Sequence, residues 1–214
     1  MTSPPLPDGL VPGSDGRARC WWAAGDELYE RYHDGEWGRP VKDDQRLFEK
    51  LSLEGFMAGL SWLTILRKRE HFREVFRRFE PAAIARFGPH DVERLMADAG
   101  IVRNRAKIEA TINNANRYPE LVAEFGSLAA YLWRHEPGPN DRPTVVDYPS
   151  LTAITSSAEA KSVSKDLLRR GWKFVGPTTV YSAMEAMGLV NDHLVGCFAR
   201  DEVEGACAAF VRPG

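Results

Sequence analysis

Apolar residues recur with helical spacing from residue 43 onward, and no stretch shows the strict alternation of a half-buried strand. Asp43 or Asp44 can cap a first helix, and Ser61 can start a second helix that stops before Pro81. The apolar positions of these two helices are Leu47, Phe48, Leu51 and Phe56, then Ile65, Phe72, Phe76 and Phe79. The pattern predicts an all-α protein with short connections and not a βαβ fold.

The same reasoning predicts further helices toward the C-terminus. One covers residues 91–99, and Ser127 can cap another. The helix between them has the apolar positions Ile108, Ile112 and Ala115. Ser156 and Glu159 have the spacing of a capping box, and the prolines of residues 137–149 predict a rigid loop before it.

Length and composition limit the number of domains and the cellular compartments that are consistent with this chain. A chain of 214 residues suits one large or two small domains. Residues 1–19 are rich in Pro, Gly and Ser, so we expect them to be disordered. No segment resembles a signal peptide or a membrane span, and three cysteines without disulfide spacing favour a reducing compartment. We therefore expect a cytoplasmic protein that does not bind membranes.

Four metal-capable residues lie near opposite ends of the chain. They are Cys20, His33, His193 and Cys197. Two thiolates and two imidazoles make a complete tetrahedral Zn²⁺ set. The spacing His193-x-x-x-Cys197 predicts two ligands one helical turn apart, whereas Cys20 and His33 are spaced like a loop followed by a helix. The alternative is that Cys197 is a buried thiol and both histidines are ordinary residues, with Cys207 left over in either case.

The net charge of −2 gives no overall indication of a polyanionic partner, but the basic residues are clustered. One run contains Arg67, Lys68, Arg69, Arg73, Arg77 and Arg78, and the other contains Lys161, Lys165, Arg169, Arg170 and Lys173. Such runs are usually solvated helix faces, yet two of them permit a local phosphate-binding surface.

A short segment between two helical patterns can bind a phosphate. Gly171-Trp172-Lys173-Phe174-Val175-Gly176 forms an apolar turn, in which we expect Phe174 and Val175 to be buried. Pro177 suits the first turn of the following helix. Backbone N–H groups at a helix N-terminus lack partners and lie at its positive end, so they suit a DNA phosphate. A glycine-containing turn between helices is more often only a turn.

Several separate motifs resemble one known family. They are Cys20-x-Trp22, Leu28-Tyr29, Tyr32-His33-Asp34, Glu36-Trp37-Gly38, Leu53-Glu54-Gly55, Ala58-Gly59-Leu60-Ser61-Trp62, Arg67-Lys68-Arg69-Glu70, Ala99-Gly100-Ile101, Phe174-Val175-Gly176, Gly188-Leu189-Val190-Asn191-Asp192-His193 and Val195-Gly196-Cys197. In this order they resemble DNA-3-methyladenine glycosylase I, a member of the helix-hairpin-helix glycosylase superfamily. The resemblance covers roughly residues 20–198.

The resemblance implies a two-lobed, all-helical domain over residues 20–200. Residues 201–214 are a C-terminal tail outside the match. The resemblance implies removal of 3-methyladenine from alkylated double-stranded DNA, with the free base as the product. We expect the protein to be a monomer. The resemblance also implies a structural zinc held by the four residues named above, and it identifies residues 171–176 as a DNA-gripping hairpin. Lys173, Phe174, Val175 and Gly176 are the expected DNA contacts, with Lys173 contacting a phosphate.

The chemistry of base removal agrees with these residues. A glycosylase must extrude its target base into a pocket, and aromatic faces attract a cationic base. Trp22, Tyr29, Tyr32, Trp37 and Trp62 supply such faces, although core packing is the alternative for each. The resemblance assigns the pocket to Glu54, Tyr32 and Trp62, with Glu54 and Tyr32 as catalytic residues, and it adds Trp22 and Tyr29 as base contacts. The alternative for Glu54 is an exposed helix position.

Two further positions bear on mechanism. Many relatives in the superfamily place an Asp where this chain has Asn191, and the resembled family lacks that Asp, which supports the assignment to this family. No Lys is placed at the hairpin in the manner of bifunctional lyases, so we expect base removal without strand cleavage. The family usually carries a Gln near the position of Met57, which puts a polar contact there in doubt. A non-catalytic, zinc-containing module that binds DNA or a modified base therefore remains the alternative.

Overall fold

Side chains at the helix starts determine where several of the predicted helices begin. In the computed structural model, which describes residues 6–214, the side chains of Asp43, Ser61 and Ser127 each accept a hydrogen bond from a backbone N–H in the following first turn. The predominantly helical class predicted from the pattern is confirmed.

The described residues form helices and one small sheet. The helices are α1 (Glu27–Gly35), α2 (Asp44–Met57), α3 (Trp62–Val75), α4 (Pro81–Ile84), α5 (Pro89–Ala97), α6 (Arg105–Phe125), α7 (Leu128–Trp133), α8 (Tyr148–Ala153), α9 (Ala158–Arg169), α10 (Pro177–Met187) and α11 (Ala199–Ala209). The strands are β1 (Leu10–Pro12) and β2 (Ala18–Cys20), paired antiparallel with Leu10 opposite Cys20.

This hairpin corrects the expectation that residues 1–19 are disordered, except for residues 1–5, which lie outside the described part of the chain. The hairpin is ordered because it packs. Leu10 is buried, and the Trp21 N–H donates to the Gly9 carbonyl at 2.8 Å. The Trp21 ring meets the Tyr148 ring edge-on with centroids 4.9 Å apart. These contacts depend on residues distant in sequence, which composition alone does not show.

The chain divides into two compact units. The first unit comprises the residues up to Pro40 with Glu136–Thr155 and Met184–Val211, and the second comprises Val41–His135, Ser156–Ala183 and Arg212–Gly214. The second unit has a phenylalanine core in which Phe56 lies 4.7 Å from Phe72 and 5.7 Å from Phe76, centroid to centroid. Among residues 6–214, no helix is both long enough and apolar enough to span a bilayer.

One segment of the second unit departs from the predicted helical pattern. Helix α3 ends at Val75, and Arg77, Arg78 and Phe79 adopt left-handed backbone with φ of 53°, 54° and 60°. Such a conformation costs roughly 1–2 kcal/mol per residue. The turn brings Phe79 into the core, where its ring stacks on Phe76 at 5.5 Å, so burial offsets the strain.

Other boundaries differ in detail. The cap of α9 is Ser157 and not Ser156. The third residue after Ser157 is Ala160, which has no carboxylate, so the predicted capping box of Ser156 and Glu159 does not form. Helix α6 continues through Pro119 to Phe125. The proline-rich loop predicted at 137–149 is interrupted near its end by the start of α8.

Candidate functional site

The four metal-capable residues come together in the first unit. Cys20, His33, His193 and Cys197 are all buried, and their ligand atoms lie within 4.8 Å of one another. His33 Nε2 lies 3.2 Å from His193 Nδ1 and 3.4 Å from Cys197 Sγ. Cys197 Sγ and Cys20 Sγ lie 3.5 and 4.0 Å from His193 Nδ1. Four ligands at zinc bond lengths would be separated by about 3.3–3.8 Å, so the cluster fits a tetrahedral zinc ion.

The backbone around the last two ligands differs from the prediction. His193 and Cys197 lie in the loop before α11 and not on a helix. The loop turns at Gly196, whose φ is 91°, and the Cys197 N–H donates to the Leu194 carbonyl at 2.9 Å. A turn in this loop, and not a helix, therefore brings the side chains of His193 and Cys197 together. Cys20 ends β2 and His33 lies in α1, close to the predicted loop followed by a helix.

Hydrogen-bond partners on the side of each ring away from the cluster orient the two imidazoles. His33 Nδ1 lies 2.8 Å from a carboxylate oxygen of Asp34, and His193 Nε2 lies 3.2 Å from the Trp37 carbonyl oxygen. These partners place the ring protons on the outer nitrogens, so His33 Nε2 and His193 Nδ1 present lone pairs to the centre. Arg19 in turn donates to Asp34 from Nη2 at 2.8 Å.

The two thiols titrate as a pair. Contact with Cys197 and burial raise the pKa of Cys20, whereas the hydrogen bond from Cys20 and the two imidazoles lower the pKa of Cys197. The pair therefore favours a single negative charge when no cation lies between the sulfurs. A divalent cation would stabilise both thiolates, which is the ligand state that zinc requires.

The aromatic residues of the first unit surround this cluster. The Trp22 ring lies 5.0 Å from Tyr29, 6.4 Å from Tyr32 and 4.8 Å from Trp37, measured between centroids. Trp37 also contacts the His193 ring at 4.7 Å and is buried, so the core-packing interpretation holds for Trp37. Trp22 and Tyr29 are half-buried, which leaves part of each ring accessible.

Glu54 lies in the second unit and is buried. The residue is 3 % exposed, and Oε2 has no hydrogen-bond partner among residues 6–214. Burial raises the pKa of Glu54 to about 8, against the opposing effect of Lys50 one helical turn earlier on α2. The alternative of a solvated helix position is therefore wrong. A buried carboxyl group with an unsatisfied oxygen and a raised pKa is typical of a functional site.

Two other sequence-predicted residues of the second unit lie close to Glu54 in the sequence. Trp62 begins α3, the next helix along the chain, and it is half-buried. Met57 is the last residue of α2 and is also half-buried.

The hairpin of residues 171–176 is held by the side chains of α6. Asn114 makes two bonds to Lys173: its Nδ2 donates to the carbonyl at 2.9 Å, and its Oδ1 accepts from the N–H at 2.8 Å. Asn113 donates to the Gly171 carbonyl at 2.8 Å. Val175 is buried as predicted. The expectation that Phe174 also packs inside the turn is wrong, because Phe174 is 37 % exposed and has a left-handed φ of 55°.

The N-terminus of α10 follows the hairpin directly. Within the described chain, the N–H groups of Gly176, Thr178 and Thr179 donate to no acceptor. Space is open at the Gly176 α-carbon, where an added Cβ would meet nothing within 4 Å. Lys173 is exposed beside these amides. The arrangement can bind an anion through backbone N–H groups at the positive end of a helix.

Among residues 6–214, some basic side chains of the two runs form ion pairs with carboxylates and others do not. Arg170 bonds to Glu124 and Asp166, and Arg169 bonds to the same Asp166. Lys165 and Lys173 are exposed, and neither pairs with a carboxylate of residues 6–214. In the other run, Arg73 bonds to Glu49 and Glu70, and Lys68 donates to the Ala99 carbonyl at 2.8 Å.

Comparison with known proteins decides the family. A family model described as methyladenine glycosylase matches residues 22–200. The chain belongs to the methyladenine glycosylase family. The resemblance indicated by the sequence motifs is thus confirmed. Cys20, the first candidate zinc ligand, lies just before the matched segment of this methyladenine glycosylase.

Individual relatives agree. The chain is 47% identical over 180 residues to DNA-3-methyladenine glycosylase 1 of Escherichia coli (strain K12), covering 84% of this chain and 95% of that protein. It is 43% identical to DNA-3-methyladenine glycosylase of Haemophilus influenzae, with 84% and 96% covered. A Tyr-to-Phe variant of 3-methyladenine DNA glycosylase I, solved in complex with 3-methyladenine, has a TM-score of 0.78 at 40% identity, with 84% and 95% covered.

Some residues that build this methyladenine glycosylase site had no clear signal in the sequence. Arg19 and Asp34 orient His33, but only the adjacency of Asp34 to a candidate ligand could have indicated this. Asn113 and Asn114 form a polar pair within a helical pattern, and such pairs are usually solvated. Lys107 was equally inconspicuous, although it is buried.

Proposed function

We propose that this protein excises 3-methyladenine from alkylated double-stranded DNA by hydrolysing the N-glycosidic bond, without cleaving the strand. Glu54 carries the proposal: in a chain of this family, α2 presents a buried carboxyl group whose Oε2 has no partner. A buried oxygen without a hydrogen-bond partner lowers the stability of the folded protein. We therefore take Oε2 as the atom whose hydrogen bonding a ligand completes.

The chemistry of the substrate fits this carboxyl group. A base methylated at N3 is cationic in DNA and leaves as a neutral molecule, so departure needs no proton donor. The protein must instead extrude the nucleotide, bind the positively charged base and orient a water molecule. An ionised Glu54 would stabilise positive charge on the base and the sugar, because a nearby cation favours the ionised form of a carboxyl group.

The proposal assigns aromatic contacts on the base to four further residues. Trp62 of the second unit, and Tyr32, Trp22 and Tyr29 of the first, offer rings or hydroxyl groups of the kind that recognise a flipped base. Stacking on an aromatic ring is worth roughly 1–3 kcal/mol per base. Tyr32 is the most buried of these three first-unit residues. The proposal keeps Glu54 and Tyr32 as the catalytic residues.

The proposal includes a structural zinc. The ligand set Cys20, His33, His193 and Cys197 is closed, with no open position for a substrate, which is typical of structural and not of catalytic zinc. The ion would join β2 and α1 to the loop before α11 within the first unit. Its contribution is to folding, and no step of base removal passes through it.

The proposal places DNA on the hairpin of residues 171–176 and the start of α10. The free N–H groups of Gly176, Thr178 and Thr179 support a phosphate contact there, and exposed Lys173 adds attraction that does not depend on sequence. The exposed ring of Phe174 stands on the same hairpin and is a further expected DNA contact.

The hairpin assignment predicts the behaviour of a double variant. Lys173→Gln with Arg169→Gln should weaken binding to unmodified duplex equally across sequences. It should also reduce the slope of log affinity against log salt by about 1, since each phosphate contact contributes roughly 0.9. Lys173 should carry most of the effect because Arg169 is bonded to Asp166. Fluorescence anisotropy over a salt series measures both quantities.

Arg77→Gln with Arg78→Gln is the matched control, because both residues are exposed and belong to the other basic run. This pair should leave affinity and salt slope near the wild-type values. If the control loses affinity and the hairpin variant does not, the DNA lies on the 67–78 run.

Release of the base tests the function itself. Incubation with methylated duplex DNA should release free 3-methyladenine, detected by chromatography, while the strands remain intact until alkali is added. Binding without release in single-turnover conditions would instead identify a non-catalytic module. Strand cleavage without alkali would contradict the monofunctional assignment.

A further inference from the structure

A buried stripe of three polar residues and one alanine runs along α6. Lys107, Ala110, Thr111 and Asn114 have the spacing i, i+3, i+4 and i+7, so they share one helix face, and all four are buried. The stripe lines a narrow cavity with residues of α2 on one side and Lys173 and Phe174 of the hairpin on the other. One helix face therefore contacts both elements to which recognition is assigned.

Lys107 bonds only to backbone. Its Nζ donates to the carbonyl oxygens of Phe56 at 2.9 Å and Ala58 at 2.6 Å, and no carboxylate of residues 6–214 pairs with it. Helix α2 ends at Met57, so these carbonyls belong to its unsatisfied C-terminal end, where a positive charge is favourable. Burial lowers the pKa of the Lys107 ammonium group, which is the cost of placing it there.

The last turn of α2 is also the turn after Glu54. The Phe56 carbonyl lies two residues after Glu54. A bond that fixes this carbonyl therefore also fixes the last turn of α2, on which the Glu54 carboxyl group lies. Gly55 packs directly on the hairpin, and a Cβ at this position would lie 3.3 Å from the Phe174 carbonyl oxygen. The absence of a side chain at Gly55 thus lets α2 and the hairpin meet at backbone distance.

Asn114 gives the matching contact on the other side. Its two bonds to the Lys173 backbone hold the residue before Phe174, where the chain enters the left-handed conformation. Lys107 and Asn114 are two turns apart on α6, one bonded to α2 and one to the hairpin.

We propose that Lys107 is a positioning residue for Glu54: it holds the C-terminal turn of α2 in the geometry that lets the carboxyl group receive the base. The inference rests on the proposed function. Lys107 is only 7 % exposed, so it does not act by touching a phosphate. It also does not act by pairing with Glu54, since both of its bonds go to carbonyl groups.

A double-mutant cycle tests this role. Lys107→Met keeps an unbranched apolar stem and removes both bonds. Its affinity for free 3-methyladenine, measured by calorimetry, should fall about tenfold, because a displaced Glu54 loses its bonding to the base and hydrogen bonds to a charged group are worth roughly 1.5–3 kcal/mol. In a Glu54→Gln background the same change should cost less than about twofold, because the group that it positions is already altered. Affinity for unmodified duplex should stay within about twofold of wild type.

Asn114→Ala is the comparison variant from the same helix face. It should weaken affinity for unmodified duplex and leave affinity for the free base nearly unchanged, the reverse of Lys107→Met. A general loosening of the fold would instead reduce both affinities in both variants, and that result would overturn the proposal.

Equal losses of base affinity from Lys107→Met in the wild-type and Glu54→Gln backgrounds would also overturn it, as would a folded Lys107→Met protein with wild-type affinity. If Lys107→Met does not fold, Lys107→Gln, whose shorter stem withdraws the donor from the two carbonyls, goes through the same cycle under the same criteria. Base release by the wild type is measured first. Failure at that step refutes the proposed function, and the inference with it, before any variant is considered.

Discussion

Glu54→Gln should bind free 3-methyladenine at least about tenfold more weakly than the wild type, because hydrogen bonds to a charged group are worth roughly 1.5–3 kcal/mol. The change keeps the shape of the side chain and removes its ability to ionise. Base release from methylated duplex should fall by at least the same factor, since positive charge on the base and sugar loses its counter-charge. Affinity for unmodified DNA should not change.

The control is Glu49→Gln. Glu49 is a second buried carboxylate on α2, but both of its bonds go to Arg73 at 2.6 and 2.9 Å. Its loss should reduce stability and leave base affinity intact. Equal base affinity in Glu54→Gln and wild type would show that Glu54 does not recognise the base.

The same substitution should change how stability depends on pH. The pKa of Glu54 is raised by burial from 4.5 to about 8 in the folded protein. A raised pKa gives a contribution to stability that is complete below the unfolded value and lost as pH rises through the folded value. The wild type should therefore lose stability between pH 5 and 8.5, by at most about 5 kcal/mol, since one pKa unit corresponds to about 1.4 kcal/mol.

Glu54→Gln has no such titration, so its free energy of unfolding should fall less over this pH range. Urea unfolding of both proteins at several pH values measures the difference in slope. Parallel curves for the two proteins would mean that Glu54 titrates normally in the folded state. A steeper wild-type curve would show that the carboxyl group is maintained at a cost to stability, as is common for functional residues.

Cys20→Ala should remove the metal and destabilise the first unit. We expect about one zinc per chain in the wild type and almost none in the variant, because three remaining ligands leave the closed site incomplete. The free energy of unfolding should fall by at least about 3 kcal/mol, since structural zinc contributes directly to folding. Elemental analysis and thermal unfolding measure the two effects.

Cys207→Ala is the matched control for this prediction. Cys207 is the remaining cysteine, lies in the same unit and is outside the four-residue cluster. It should retain zinc and nearly all of the stability. Removal of metal from the wild type by a chelator should reproduce the behaviour of Cys20→Ala. A metal-free wild type with the same unfolding temperature as the purified protein would refute the structural zinc.

The sequence predicts the local structure correctly where neighbouring residues control the backbone conformation. Helix caps such as Asp43, Ser61 and Ser127 act over three residues, so their helices were predicted with nearly correct starts. The hairpin between α9 and α10 was predicted for the same reason. The family can be identified from the order of the motifs, even where the sequence does not show the structural reason for an individual residue.

Errors arose where distant residues decide the local conformation. Composition does not predict the hairpin of β1 and β2, because Leu10 and Trp21 are stabilised by partners that are distant in sequence. The loop carrying His193 and Cys197 was predicted as a helix because spacing of four residues suits both a helical turn and a turn in a loop. The left-handed conformation of Phe174 depends on Asn114, about sixty positions earlier.

The sequence by itself determined the helical class, the family and the identity of the candidate ligands, because periodicity, caps and motif order are properties of nearby residues. Only the tertiary structure decided that the four candidate ligands lie within 4.8 Å of one another, that Glu54 is buried with a raised pKa, and that Lys107 bonds to the end of α2. Burial and electrostatic environment depend on which segments pack together. A residue's own neighbours in sequence carry little information about that packing.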